Sequence, residues 1–247
     1  MAIQKIMVTS GVLTDTGKST VAEHLKTYLE AQGRLVEWVG VEASDKALCG
    51  EDRRITPDPD VIGELVTDMA LLDDDQVLIV DVGGEFFDPM MDANKSFGGG
   101  VEQEFDLFVM PISPNHKSEG IIRAVNGLAD RGIDLERLVI VFNRILPSRA
   151  EKVSEDFSVL LQYAGERGIR VCSHAIQSSD VVARQRGVGS VYEIAGDAKE
   201  IQSRIAEAKA AGDIALARDL ASRRTIAMRA NLDATSFNSV FSEVLAD

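Results

Sequence analysis

Cysteine is scarce in this chain of 247 residues, with Cys49 and Cys172 the whole supply, and a disulfide scaffold is excluded on that ground. Basic side chains are few as well, 26 against 40 acidic ones, for a net charge of −14. That balance argues against a free-standing binder of nucleic acid, whose nonspecific affinity rests on Lys and Arg. No apolar run approaches the roughly 18 residues needed to cross a bilayer. No basic, apolar and small-residue leader stands before the first apolar segment, so a reducing cytoplasm is the expected compartment. Repeats and low-complexity tracts are missing too. The three histidines, His24, His116 and His174, make no i, i+4 pair and no Cys/His cluster, which speaks against structural zinc. What is present is an ordinary globular composition, 45% hydrophobic and 27% charged, long enough for one large core.

Apolar runs alternate with helical spacing along the chain. Residues 1–10 read as a short strand, and 35–41, 77–81, 106–111, 137–143 and 169–176 as further strands. Between them, residues 18–32 carry Val21, Leu25, Tyr28 and Leu29 on one face and stop at Gly33, while 61–72, 118–131 and 150–167 also have helical spacing. Strands and helices in this order mean βαβ units, so the expected fold class is α/β, a mostly parallel doubly wound sheet with helices on both faces. Residues 42–59 and 83–100 read as long loops. A nucleotide-binding domain is expected over 1–195, followed by C-terminal helices over 196–247. There, Phe237, Val240, Phe241, Val244 and Leu245 share one face, suited to packing on the domain or to a partner.

The chemistry begins at S-G-V-L-T-D-T-G-K-S-T, residues 10–20, between the first strand and the first helix. A loop placed there aims backbone N–H groups and the positive end of a helix at one point, which is an anion site. Lys18 can reach the β- and γ-phosphates of a nucleotide and Ser19 can bind Mg²⁺, with Gly11, Thr14, Asp15, Thr16, Gly17 and Thr20 completing the cradle. The spacing is irregular: five residues separate Gly11 from Gly17, where the usual pattern has four. Asp81 ends V-L-I-V-D, and a parallel sheet can bring it beside the loop to meet Mg²⁺ directly or through water. Gly83-Gly84 follow and allow close backbone approach to a γ-phosphate.

Over about residues 1–195 these landmarks resemble the ParA/MinD-type P-loop ATPases, and within them the StbB-like plasmid stability proteins. The resemblance rests on T-D-T-G-K-S-T, V-L-I-V-D-V-G-G and F-D-L-F-V-M-P-I-S-P with Lys117 after it. V-I-V-F-N-R and S-S-D-V-V-A-R-Q-R-G-V-G-S-V-Y-E complete it. It implies ATP and Mg²⁺ as cofactors, adenine contact at Asn143 with Arg144 beside it, and water orientation by Asp45, with Glu42 as the alternative. It further implies a slowly hydrolysing switch in plasmid stability or positioning, linked to conjugation, a nucleotide-dependent homodimer, and a small plasmid-encoded DNA-binding partner. Two features depart from the family. Val12, Leu13 and Thr14 stand where it carries a signature lysine, leaving Thr14 or Asp15 as candidates to reach the phosphates. The net charge disfavours direct DNA binding, for which Arg223, Arg224 and Arg229 form the one candidate cluster. A dethiobiotin synthetase-like enzyme, which T-D-T-G-K also resembles, and a scaffold with little hydrolysis are the alternatives. Cys172 is expected to pack in its strand and Cys49 to lie in a polar loop.

Overall fold

Seven strands form one sheet in the computed structural model, which describes residues 3–41, 51–179, 191–196 and 198–246. They are β1 (Lys5–Val8), β2 (Leu35–Val41), β3 (Arg53–Ile55), β4 (Gln76–Val82), β5 (Leu107–Ile112), β6 (Leu138–Ile145) and β7 (Arg170–Gln177). Every pairing is parallel, and the order is β3-β2-β4-β1-β5-β6-β7. The helices are α1 (Lys18–Ala31), α2 (Pro59–Ala70), α3 (Phe87–Phe97), α4 (Val101–Glu104), α5 (Ser118–Asp130), α6 (Val153–Asp156), α7 (Ser158–Arg167), α8 (Val191–Gly196), α9 (Ala198–Ala210) and α10 (Ile214–Val244).

Successive side chains of a strand leave opposite faces, and β1 shows what that does to the core. Met7 joins one apolar layer with Leu65, Met90, Val125 and Leu160 from α2, α3, α5 and α7. Ile6 and Val8 join the other, with Val21 and Leu25 of α1 and Phe237, Val240, Phe241 and Val244 of α10. Strands covered on both faces must be apolar throughout, and β5, L-F-V-M-P-I, is buried along its whole length. The shared face of the C-terminal segment is thus packed on the chain's own sheet. No helix among the described residues is long and apolar enough to cross a membrane.

Residues 83–100, expected as loop, contain α3. Its spacing Phe87, Met90, Met91, Asn94 is helical, and Gly83-Gly84 before it and Gly98–100 after it disguise a helix of 11 residues as a connection. Residues 42–59 hide a strand: β3 pairs Val39 with Arg53 and Val41 with Ile55. Its charges are answered locally, Arg53 meeting Glu37 at 3.1 Å and Asp68 at 2.6 Å. The segment 150–167 is not one helix, because α6 and α7 break at Phe157, which is buried against Phe142 with ring centroids 5.0 Å apart. Glu42, Asp45 and Cys49 lie outside the described residues, as does most of the late S-S-D-V-V-A-R-Q-R-G-V-G-S stretch.

Candidate functional site

The sheet order changes direction at β1, and ligands of open α/β sheets bind beyond the carboxyl ends of the strands at such a point. There the loop after β1 folds over itself. Ser10 is buried and its hydroxyl donates to Pro111 O at 2.6 Å, so the Thr16 hydroxyl, 2.9 Å away, is the donor to Ser10 Oγ. Gly11 takes φ 57° and its N–H donates to Thr9 Oγ1. Leu13 N–H donates to Ser10 O at 3.1 Å. Lys18, only 8% exposed, extends back across the loop and donates to Leu13 O at 3.0 Å.

The start of α1 is left open to a ligand. Gly17 is its N-cap in the left-handed conformation, with no side-chain capping bond and no acidic residue in the first turn. The first backbone N–H groups and the positive end of the helix therefore have no capping side chain. A side chain at Gly17 would put a Cβ 2.3 Å from Asn143 Nδ2, and one at Gly84 would put it 2.6 Å from Leu13 O. These two contacts are tighter than any real Cβ makes, so glycine at both positions is what lets β6 and the loop after β4 close on the phosphate loop.

A cleft of about 350 Å³ results. Of the residues expected at the site, Thr14, Asp15, Gly17, Lys18, Ser19, Thr20 and Arg144 line it. Gly83 and Gly84 line it as well, together with Glu85 and Phe86, which sequence reasoning missed although they directly follow V-L-I-V-D-V-G-G. Gly11 and Thr16 are buried behind it. Asp81 is buried and pairs in register with Val8, two residues before the phosphate loop begins at Ser10, without lining the cleft itself. Asn143, expected at adenine, is 2% exposed and does not line the cleft. Its Nδ2 donates to Thr16 O at 2.8 Å and its Oδ1 accepts from Arg144 N at 2.9 Å. The amide braces the loop from behind with one of its two N–H groups.

Elsewhere the chemistry is poorer. Among the described residues no group of three His, Cys, Asp or Glu could hold a metal ion. Cys172 is buried and its thiol is pushed up to about 12 by that burial, with Glu243 adding to the effect. A larger groove, about 560 Å³, lies at the amino ends of β2 and β4 between Glu30, Glu37 and Leu72. The guanidinium that borders it, Arg34, is occupied by the carbonyls of Asp74, Asp75 and Gln76. Arg223 and Arg229 are exposed on α10, and Arg223 pairs with Asp219 at 3.0 Å.

The residues at the cleft fit a magnesium nucleotide. A lysine, the hydroxyl of Ser19 and a helix start without a side-chain cap supply the donor set around the cleft.

No family model matches the sequence, and no curated protein matches it. Solved structures do. The MinC:MinD cell division protein complex of Aquifex aeolicus superposes with a TM-score of 0.53 at 12% identity, covering 73% of this chain and 84% of that one. The MinD cell division protein of Aquifex aeolicus gives 0.50 at 13% identity, covering 73% and 85%. A plasmid partition protein of Borrelia burgdorferi B31 bound to AMPPNP gives 0.48 at 12% identity, covering 74% and 88%. Sheet order, the loop after β1 and the likeness to the two MinD structures agree on the fold, an α/β P-loop NTPase fold similar to theirs.

Proposed function

We propose that this protein is an ATP-binding, slowly hydrolysing switch. The observation that carries the reading is the contact between two loops at one cleft: Lys18 clamps Leu13 O from one side while Gly84 packs on the same carbonyl from the other. A γ-phosphate entering there meets Lys18 and the start of α1, and competes for the contacts that now hold the loops after β1 and β4 together. Its presence or loss changes both loops, which is how such switches work. Ser19 and Asp81 would hold Mg²⁺, which when bound neutralises charge on the β- and γ-phosphates. Ser19 lines the cleft and Asp81 stands at the neighbouring strand end.

The output we propose is plasmid stability or positioning, through a nucleotide-dependent homodimer and a small plasmid-encoded DNA-binding protein. The net charge of −14 suits a basic partner. The test is ATP binding and turnover with Mg²⁺ by the wild type and by Lys18→Ala, followed by sedimentation in ATP, in ADP and without nucleotide. Slow turnover lost in Lys18→Ala, with a mass change in ATP alone, supports the switch. Tight binding with constant mass favours an enzyme or scaffold, and no binding removes the reading.

A further inference from the structure

Two non-glycine residues among those described have left-handed backbone, Asp15 at φ 55° and Arg144 at φ 58°. They are 129 positions apart in sequence, and they are hydrogen-bonded to each other: Arg144 Nη1 donates to Asp15 O at 2.9 Å. Aspartate tolerates this conformation, since its short polar side chain can bond locally, but arginine has no such relief. Strain of this kind persists where the surroundings enforce it, and it gathers at functional sites.

The enforcement is visible in β6. Its pairing with β7 slips between Phe142 and Ile145, opposite Ala175 and Gln177, so that three steps on β6 meet two on β7. Such a bulge takes a residue out of the ladder and re-aims side chains. The Arg144 N–H is satisfied by Asn143 Oδ1, at 2.9 Å. Neighbours in a regular strand point to opposite faces. Here both turn on the phosphate loop, Asn143 holding Thr16 O from behind and Arg144 holding Asp15 O from the cleft side. A Cβ at Gly17 would lie 3.4 Å from Arg144 Nε, which sets the guanidinium beside the start of α1.

We propose that Arg144 is a nucleotide-contacting residue that supplies, from the same chain, the second cation that the phosphate loop lacks. This rests on the nucleotide-binding reading above. Arginine carries five N–H donors in a planar fork suited to phosphate oxygens, and among the described residues its guanidinium spends one of them, on Asp15 O. Asp15 and Glu85 bring carboxylates to the same cleft, so a polyphosphate there needs more than Lys18 to offset the charge it meets. The bond to Asp15 O holds the guanidinium in place before the ligand arrives.

The experiment is titration of Mg²⁺-ATP and ADP into the full-length wild type, Arg144→Gly, Arg144→Lys and Lys18→Ala, with the thermal midpoint of each unliganded protein. Glycine accepts the left-handed backbone without penalty, so Arg144→Gly removes the guanidinium while relieving the strain. The expected result is an affinity for both nucleotides lower by about ten- to a hundredfold, the scale of one or two charge-assisted hydrogen bonds, with an unchanged or higher midpoint. Arg144→Lys should recover part of the loss as a point charge at the cost of a strained backbone. Wild-type affinity in Arg144→Gly overturns the proposal, and so does a fall in affinity accompanied by a fall in midpoint, which would make Arg144 a brace for the loop. Loss of binding in Lys18→Ala with normal binding in Arg144→Gly leaves the nucleotide reading standing and sinks this one alone. No binding by the wild type sinks both.

Discussion

The two ends of α1 are packed by opposite rules. At its start the backbone is left-handed, polar groups hold one another, and Val12 stands 58% exposed above a loop whose order comes from hydroxyls and carbonyls. One turn and a half further on, His24 stacks on Phe237 with ring centroids 4.1 Å apart, and Tyr28 leans on Phe241, so that order comes from the rings of α10. The first region gives up packing to keep a cleft open, and the second is filled to hold that open region in place. Stability and binding should therefore come apart on mutation.

The largest effect on stability belongs to the filled region. Phe237→Ala should lower the unfolding free energy by about 3–5 kcal/mol, the usual range for a buried phenylalanine in a core that does not collapse. Denaturant unfolding measures it, and ATP affinity of the protein that stays folded should match the wild type. Equal losses of binding and stability would mean that the two regions are not separable.

His24 is the titratable group at the junction. Its Nδ1–H donates to Thr20 O at 2.7 Å, and burial lowers its pKa from 6.5 to about 4 against the smaller opposing effect of that bond. Above pH 6.5 both folded and unfolded states are neutral here and stability is unaffected. Between 6.5 and about 4 the unfolded chain binds a proton that the folded chain refuses, so stability falls as pH falls, by about 3 kcal/mol once both states are protonated. The denaturation midpoint followed from pH 7 to 4 should drop less steeply in His24→Phe. An identical slope in the variant would assign the pH dependence elsewhere.

The third effect lies at the open end. Gly17→Ala forces a Cβ into a left-handed residue and against Asn143 Nδ2, costing about 1–2 kcal/mol of stability. Its effect on nucleotide binding should be much larger, because Asn143 must release Thr16 O and the loop loses its shape. Calorimetric titration beside a melting curve distinguishes the two. A variant that binds normally would show that the loop adapts around the extra atom.

How far these regions were legible in the sequence follows from the same contrast. Buried strands such as V-L-I-V-D and the Gly17-Lys18-Ser19 turn are local patterns, and the strand alternation predicts the parallel sheet. Local pattern also misleads where two signals overlap, as in α3, whose bracketing glycines read as loop, and in β3, where charged residues make an edge strand look like surface. The bulge at Asn143 and Arg144 is not local at all. It depends on where β7 pairs with β6 and on how the loop after β1 meets both, so the sequence flagged the N-R pair without its geometry. Glu85 and Phe86 belong to the cleft only because β4 lies beside β1.

The smallest expected effect sharpens the comparison inside one helix. Along α10, Ala234, Phe237, Val240, Phe241 and Val244 are buried, whereas Ile214, Met228 and Leu232 in its first two thirds are exposed, Leu232 to 72%. The change of burial coincides with the contact that ends the sheet: Ser236 Oγ donates to Ala175 O in β7, and the residues before it run past the strand. Without the sheet beneath it the helix packs on α9, where Ile201 and Ile205 meet Ala217 and Leu220, and on α8, where Val191 meets Ala230 and Ala234. Leu232→Ser should then change stability by no more than about 0.5 kcal/mol, because a side chain already in water has little burial to lose. Denaturant unfolding at two protein concentrations reads it. A loss above about 1 kcal/mol that fades on dilution would mean that a second molecule covers this stretch of α10, and that its exposed leucine belongs with the filled region after all.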